Sequence, residues 1–382
     1  MIALLALVLG GGPETPPLEE VLREATAWLV ENQRPDGAWG SHQSPRPIEV
    51  LCDVPGSHDA FRVATTGLVV SALLHGPVQD AEVEASLSRG VDALLEQWNV
   101  KRANGMEHYT VWALGYGLQG LADFLLLRPE DPRRGRAEEV CRALVRKLER
   151  YQCLDGGWGY LSLGEVPTWP PSSTSMSFTT GVILVALDRA RAAGIEAPAE
   201  MIERAVASVR RCRTPSGSYT YGELWNRRPA SGLNQRKGAA CRTPCCNLAV
   251  ELFGTPVPGE DHVRSLEDLL VRHARFQIVA LRRPIPHESH YAVSGYFYLF
   301  GMEYASRVWE RMPEAVRERY RDPLVDMVLR TRQPDGSFWD YPLYSYHKPY
   351  GTAYALLALG RVYRKGSGEG SPVGLRQGRP SR

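Results

Sequence analysis

One ten-residue segment, YQCLDGGWGY at residues 151–160, recurs in related form at four places along this chain. Its Asp155-Gly156 pair is typical of a tight turn, because Asp bonds to its own backbone and Gly adopts a positive φ without steric cost. Gln152 stands just before the turn, at the end of a helical pattern, and Trp158 follows directly after it. The segment therefore predicts a helix, a turn with a buried aromatic residue, and a second helix.

The spacing of these turns predicts how many repeats the chain contains. Successive turn glycines lie 119, 61 and 119 residues apart, at Gly37, Gly156, Gly217 and Gly336. The long intervals are about twice the short one, which indicates a repeat of about 60 residues and six copies, two of which have lost the turn sequence. A repeat array grows as one body, so a length of 382 residues does not require several domains.

Each repeat is predicted to contain two helices of different character. The first, for example residues 137–151, is apolar on one face and charged on the other, whereas the second, for example residues 59–74, is apolar on nearly all sides and should be buried. The first helices are predicted to begin near residues 18, 83, 137, 201, 262 and 323, and the second near 59, 108, 175, 238, 291 and 347. Two concentric rings of six helices follow, which is an all-α (α/α)6 toroid spanning residues 18–364.

The two ends of the chain and its overall charge narrow the classes of function. A net charge of +2 with no basic run gives no basis for binding nucleic acid. The apolar run at residues 2–9 is too short to span a bilayer, so no transmembrane segment is predicted. Residues 1–17 are expected to be a signal peptide of an exported (periplasmic or extracellular) protein, or else a flexible N-terminus of a cytoplasmic one. Residues 365–382, rich in Gly, Ser, Pro and Arg, are predicted to be a disordered tail.

The seven cysteines do not form a disulfide pattern, because their number is odd and their spacing scattered. Cys141 and Cys212 fall within helical patterns and are predicted to be small buried residues. Export would still allow one or two bridges. Cys245 and Cys246 are adjacent and would point about 100° apart on a helix, so buried packing together with Cys241 is expected rather than a metal site.

Four segments carry a resemblance to a known family. NQRPDGAWG (32–40), YQCLDGGWGY (151–160), RCRTPSGSYTY (211–221) and TRQPDGSFW (331–339) resemble the Gln-Trp repeat of squalene and terpene cyclases and of protein prenyltransferase β subunits. The resemblance covers roughly residues 18–364, without a close match to one characterised member. It implies a toroid with an apolar central cavity for a hydrophobic, isoprenoid-like small molecule.

The catalytic motifs that this resemblance would imply are missing. The chain lacks the Asp-x-Asp-Asp acid of class II cyclases, the Asp-Asp-x-x-Asp of ionising cyclases and the Asp-x-Cys zinc site of prenyltransferases, since Cys52-Asp53 has the wrong order. The Cys-Gly-Glu-Gln thioester motif is also absent. No metal or cofactor is therefore predicted, and whether the chain is an enzyme stays open.

Candidate site residues gather near the predicted beginnings of the inner helices. Helix N-termini meeting at one mouth of a toroid would bring together side chains from separate repeats. Histidine titrates near neutral pH and suits acid–base chemistry, and an arginine could position an anionic group. The predicted catalytic residues are His58, Asp59, Arg62, His108, Tyr109, His290 and His347. The alternative is that they are cap and loop residues bonded to neighbouring carbonyls or to water.

Two further groups have competing interpretations. The fifth inner helix is rich in Tyr and Phe, which could stabilise carbocations through π faces or simply pack. Arg236, Lys237 and Arg242 could hold a pyrophosphate or carboxylate, or could lie in a solvated loop.

Three functions remain in competition. The first is a terpene-cyclase- or prenyltransferase-like protein that binds or converts an isoprenoid-like lipid. The second is a non-catalytic exported binding or scaffold protein that uses the rim of the toroid. The third is a polysaccharide lyase or hydrolase, which would need an open polar groove with paired carboxylates.

Overall fold

The computed structural model describes residues 16–40, 57–101, 109–160, 174–228, 230–283, 287, 290, 292–341 and 346–367. Across these residues the chain is helical, with two isolated bridges in place of strands. The helices are α1 Leu18–Glu31, α2 Ser57–His75, α3 Ala81–Gln97, α4 Thr110–Leu127, α5 Arg134–Tyr151, α6 Ser177–Ala192, α7 Ala199–Arg211, α8 Arg236–Ala239, α9 Thr243–Leu252, α10 Gly259–Glu267, α11 Ala274–Ala280, α12 Tyr298–Arg311, α13 Glu314–Leu329 and α14 His347–Ser367.

Six helices form a closed inner ring. They are α2, α4, α6, α9, α12 and α14; each packs against the next, and α14 packs against α2. The outer helices α1, α3, α5, α7, α10 and α13 lie in the grooves between them. The predicted all-α toroid is confirmed. Within the described residues one helix, Thr110–Leu127, is long and apolar enough to cross a membrane, and 83% of it is buried inside the fold.

The turns at Gly37 and Gly156 are held by the same kind of glutamine hydrogen bonds. Nε2 of Gln152 donates to Gly156 O at 2.7 Å within its own turn and to Met201 O at 2.8 Å on α7. Nε2 of Gln33 donates in the same way to Gly37 O and to Ser86 O on α3, both at 2.8 Å. Each glutamine therefore joins the end of one outer helix to a later outer helix.

Two buried tryptophans join the outer helix of a repeat to its inner helix. The indole of Trp158 donates to Leu148 O on α5 at 2.8 Å, and its backbone N–H donates to Thr180 Oγ1 on α6 at 2.9 Å. Trp39 makes the equivalent indole bond, to Leu29 O on α1 at 2.7 Å. Because both rings are fully buried, these bonds are shielded from competing water.

The inner helices approach most closely where glycine faces backbone. A Cβ placed on Gly67 of α2 would lie 2.2 Å from Tyr116 O on α4. A Cβ on Gly120 of α4 would lie 2.7 Å from Gly67 O in return. Only residues without a side chain allow this distance between α2 and α4.

Three element boundaries differ from the sequence expectation. The sixth outer helix begins at Glu314 instead of near residue 323, so Pro323 lies inside it. Pro323 removes the helical hydrogen bond to the carbonyl of Arg319, and Arg319 is exposed to solvent. The fourth inner helix is split between α8 and α9, where Pro244 cannot donate a helical hydrogen bond. The fifth begins with a 3₁₀ turn at Gly295–Phe297, later than the predicted residue 291.

Charged side chains gather where the inner helices end. Arg189 of α6 donates through Nε to Asp123 of α4 at 2.7 Å. Glu303 of α12 accepts from Arg307 at 2.7 Å and from Arg361 of α14. All five side chains are at least nine-tenths buried. Their cations lie near the helix C-termini, where the macrodipole favours positive charge.

We expect the turn glycines to differ in their tolerance of a side chain. Gly156 and Gly194 both have positive φ, at +94° and +81°, but a Cβ on Gly156 would lie 2.7 Å from Arg204 O whereas a Cβ on Gly194 meets nothing within 4 Å. Gly194→Ala should cost about 1–2 kcal/mol from the left-handed backbone alone. Gly156→Ala should cost roughly a further 1–3 kcal/mol from the clash. Urea unfolding of both variants measures this, and equal costs would contradict it.

Neutralising Glu303 should be far more damaging than neutralising an exposed carboxylate. Glu303→Gln leaves two buried arginines short of a counter-ion and should cost about 3–5 kcal/mol. Glu24, whose side chain is 42% exposed in its pair with Arg332, is the matched control, and Glu24→Gln should cost about 0–1 kcal/mol.

The stabilisation by Glu303 should also depend on pH. Burial raises the pKa of Glu303, but the attraction of Arg361 and Arg307 outweighs burial and leaves the pKa below its usual value. The stabilisation by Glu303 is thus present above the pKa of an unfolded glutamate and is lost as the pH falls through the folded value. Urea midpoints across the acid range check this, and a Glu303→Gln deficit unchanged at strongly acid pH would contradict it.

Candidate functional site

A cavity of about 390 Å³ lies inside the ring, against the N-terminal parts of the inner helices. Fourteen of its nineteen lining residues are Phe, Tyr or Trp, two are His, and none of the nineteen is Asp, Glu, Lys or Arg. They are Phe61, Ala64, Thr65, Leu68, Tyr109, Trp112, Tyr116, Tyr160, Phe178, Tyr221, His287, Tyr296, Phe297, Phe300, Tyr341, Tyr346, His347, Tyr350 and Tyr354. We call this space the aromatic cavity.

Helical spacing directs several of these rings inward. Tyr346, Tyr350 and Tyr354 lie four residues apart at the beginning of α14, so they share one helix face. Trp112 and Tyr116 have the same spacing on α4, and their rings stack at 6.1 Å with an interplanar angle of 11°. The fourth inner helix, α9, contributes no lining residue, and Tyr221 from the segment before it contacts Phe178 instead.

A chain of hydroxyl groups ends at a neutral imidazole on one wall. The hydroxyls of Tyr160, Tyr221 and Tyr296 are hydrogen bonded in sequence. The Tyr296 hydroxyl lies 2.9 Å from Nε2 of His287, and Nδ1 of His287 lies 3.4 Å from Ala292 O. Burial lowers the pKa of His287 to about 4. We therefore assign Nδ1–H as donor to the carbonyl, which leaves Nε2 to accept the tyrosine proton.

The second cavity histidine is held in the same tautomer. Nδ1 of His347 is hydrogen bonded to Tyr341 O, and the imidazole meets the rings of Tyr346 and Tyr350 edge to face. Burial lowers the pKa of His347 to about 3. At neutral pH it is an uncharged acceptor at Nε2, and the cavity wall has no positive charge from either imidazole.

A carboxyl group lies directly behind the wall. Oδ1 of Asp340 accepts the Tyr350 hydroxyl at 3.0 Å, and Oδ2 accepts the Leu299 N–H at 3.0 Å. The side chain is almost fully buried, and burial raises its pKa to about 7, more than these two hydrogen bonds lower it. Asp340 can therefore exchange a proton with a hydroxyl on the cavity surface near neutral pH.

Only part of the predicted histidine cluster reaches this cavity. Tyr109 and His347 line it. His58 is buried at the beginning of α2 but is not a lining residue, and Asp59 is exposed. His108 lies outside the described residues.

The other two predicted residues have partners elsewhere. Arg62 pairs with Asp36 in the first turn. His290 is exposed and lies 3.0 Å from Lys237 Nζ. The six described residues do not all lie at the cavity, and the catalytic role of the predicted set stays a prediction.

The structure also shows where the aromatic residues of the fifth inner helix and the cysteines lie. Phe297 and Phe300 line the cavity, whereas Tyr298 points away and donates to Met327 O at 2.7 Å. The cysteines at 141, 153, 212, 241, 245 and 246 are buried, and burial raises the pKa of Cys246 to about 12. The described residues contain no group of three or more His, Cys, Asp or Glu that could hold a metal ion.

Sequence reasoning missed Asp340, His287 and most of the tyrosines. One feature could have revealed part of the site, namely the four-residue spacing of Tyr346, Tyr350 and Tyr354. Asp340 lies in FWDY, the one carboxylate of an aromatic run. His287 had no such feature, because the local sequence does not indicate its positive φ of +55°.

Comparison with known proteins supports the architecture. No model of a known protein family and no curated protein sequence matches the chain. Solved structures do match. The type II terpene cyclase MstE from Scytonema, in complex with geranylgeranyl dihydroxybenzoate, shares 15% identity over 90% of this chain and 97% of its own, with a TM-score of 0.52.

Two further solved structures are similar to the same extent. A possible member of the GH105 family from Salmonella enterica shares 14% identity over 93% of this chain and 97% of its own, with a TM-score of 0.54. A protein from Actinoplanes shares 15% identity over 91% of this chain and 100% of its own, with a TM-score of 0.50. At this identity the likeness establishes the helical toroid and not an activity.

We expect Asp340 to make stability fall as the pH rises. Its folded pKa of about 7 lies above the value of about 3.9 for an unfolded aspartate, so the folded state binds the extra proton. The contribution of Asp340 to stability should fall between about pH 4 and pH 7, by at most about 1.4 kcal/mol per pH unit, and then level off. Asp340→Asn removes this loss, so its stability relative to wild type should grow from about pH 5 to pH 8.

Asp335, whose pKa is lowered instead of raised, provides the control. Burial raises the pKa of Asp335, but Lys348 and Ser337 hold it down to about 2. Urea unfolding at both pH values should show a constant difference between wild type and Asp335→Asn. A constant difference for Asp340→Asn as well would contradict the assignment.

Proposed function

We propose that this chain binds an apolar, isoprenoid-like small molecule in the aromatic cavity. The observation that carries the proposal is the cavity wall itself, with fourteen aromatic rings and no charged side chain among the nineteen residues. Small-molecule sites are typically concave and lined by aromatic and apolar side chains with a few polar groups. Here the polar groups are tyrosine hydroxyls and two neutral imidazoles.

The size of the cavity limits the ligand. A volume of about 390 Å³ lies near the lower end of the roughly 300–1,000 Å³ that is typical of ligand pockets. It suits a small ligand, such as a branched hydrocarbon of about ten to fifteen carbon atoms with one hydroxyl or carbonyl group.

Conversion of the ligand is a second candidate function, and Asp340 favours it. A protonated Asp340 could donate to the Tyr350 oxygen while that hydroxyl passes its own proton into the cavity. Burial, and not a neighbouring cation, sets the pKa of Asp340, so the acid is present at neutral pH but weak. It suits protonation of a polarised oxygen, such as an epoxide, better than protonation of an isolated alkene.

The alternatives have less support. A polysaccharide hydrolase needs two carboxylates in an open polar groove, and the aromatic cavity has none among its lining residues. A rim-binding scaffold would leave the cavity without a role. We also infer that the turns at Gln33 and Gln152 belong to the Gln-Trp repeat family, which their matching Gln and Trp hydrogen bonds support.

The test is a binding titration of the full chain with geraniol, farnesol and squalene, followed through quenching of tryptophan fluorescence. Trp112 is the reporter inside the cavity, so Trp112→Phe should remove most of the quenching. The ten- and fifteen-carbon alcohols should saturate, and the thirty-carbon squalene should not. The outcome that overturns the proposal is absence of saturation by any of the three.

Filling the cavity supplies the matched variants. Ala64→Phe adds a ring inside the wall and should weaken farnesol binding by roughly tenfold or more, because the lost volume can no longer bury the ligand. Leu68→Phe provides a second filling variant if the first does not fold. Tyr350→Phe keeps the ring and removes the hydroxyl, so it should retain binding while abolishing any conversion. Full binding by a folded, filled variant would place the ligand elsewhere.

A further inference from the structure

A second cavity, of about 580 Å³, has the opposite chemistry and shares no lining residue with the aromatic cavity. It lies between the fourth-repeat turn, the segment leading into α8, and the junction before α11. Its lining residues are Thr214, Pro215, Ser216, Asn234, Gln235, Arg236, Lys237, Arg272 and His273. We call it the cationic pocket.

Lys237 is the most informative member of this pocket. The residue is 9% exposed, and burying an ammonium group is costly unless a counter-ion compensates it. Its Nζ lies 3.0 and 3.1 Å from the two ring nitrogens of His290 and 5.2 Å from the centre of the Phe276 ring. Among the described residues, no carboxylate lies within ion-pair distance of Lys237. The buried charge therefore lacks a protein anion in that part of the chain.

The other cations leave the pocket with excess positive charge. Arg236 donates through Nε and Nη2 to the two oxygens of Asp268 at 2.6 and 2.7 Å. Arg272 is 54% exposed and reaches Asp268 only at 3.9 Å. Burial lowers the pKa of His273, so this imidazole is neutral at pH 7. Three cations against the single carboxylate of Asp268 leave a net charge of +2 among the described side chains.

Hydroxyl groups lie on the opposite side of the pocket. Thr214 Oγ1 and Ser216 Oγ are 2.9 Å apart, and each also lies within hydrogen-bond distance of Ser218 Oγ. Thr214 and Ser216 line the pocket, so their O–H groups can turn toward an acceptor placed there. An oxygen-rich anion would meet ammonium, guanidinium and hydroxyl donors together.

We propose that the cationic pocket binds the phosphoryl group of a small molecule. A phosphate ester has a charge of about −1.5 to −2 at pH 7 and three acceptor oxygens, which matches the net charge and the dispersed donors. A carboxylate has one charge and a planar pair of oxygens, which suits a single bidentate arginine, and Arg236 already uses that arrangement with Asp268. This inference does not depend on the ligand of the aromatic cavity.

The experiment is isothermal titration of the full chain with inorganic phosphate, pyrophosphate, glycerol phosphate and succinate. Saturable binding of inorganic phosphate alone would identify a free phosphate site, and tighter binding of glycerol phosphate would identify a phosphate ester. Binding should weaken as sodium chloride is raised, because part of it is a screened charge interaction. Absence of saturable binding by every phosphoryl probe, or binding of succinate alone, would overturn the proposal.

Three variants test whether phosphate binds in this pocket. Lys237→Met keeps the length of the side chain and removes its charge, so phosphate binding should weaken by about tenfold or more. Arg272→Gln should weaken it less, since that side chain is more exposed. Lys147 is the matched control, because it also lies over an aromatic ring, Trp98, at 5.5 Å but outside the pocket. Lys147→Met should leave binding unchanged, and equal binding by folded Lys237→Met would overturn the proposal.

Discussion

Six inner helices pack side by side in a closed ring, and this packing sets where both the buried charges and the aromatic cavity lie. All six N-termini face one end of the ring and all six C-termini face the other. The C-terminal end brings carbonyl groups and negative dipole ends together. Arg189, Arg307 and Arg361 lie there, buried against Asp123 and Glu303. These five buried charges therefore lie away from the cavity, whereas the buried Arg242 lies over the ring of Tyr221 in the cavity wall.

The N-terminal end of the ring is lined by uncharged side chains instead. Its side chains are aromatic, and burial keeps both cavity imidazoles neutral by lowering the pKa of His287 to about 4 and of His347 to about 3. Asp340 lies behind the wall and is the carboxyl group bonded to a cavity hydroxyl through Tyr350. A ligand there would meet π faces and hydroxyl groups, with one proton donor within reach. No Lys or Arg is among the lining residues, so the cavity surface itself presents no cation to an anionic ligand.

The aromatic cavity and the cationic pocket have opposite linings and share no lining residue. The aromatic cavity takes its residues mainly from the beginnings of inner helices, which the ring packing holds rigid. The cationic pocket takes its residues from three places: Thr214 to Ser216 in the turn at Gly217, residues 234–237 at the beginning of α8, and Arg272 with His273 before α11. The fourth inner helix is interrupted between α8 and α9, just before Pro244.

The all-α toroid could be predicted from the sequence, because turn glycines at positive φ and the contrast between amphipathic and apolar helices are local properties. The sequence also predicts the buried aromatic residue after each turn, which is Trp39, Trp158, Tyr219 or Phe338. The tertiary structure alone decided which residues meet at the site. Asp340 and Tyr350 are ten residues apart, yet their pairing depends on where α12 presents the Leu299 N–H. Lys237 and His287 acquire their environments from residues distant in the sequence, such as Phe276 beside Lys237 and Tyr221 beside His287, and no local pattern encodes those contacts.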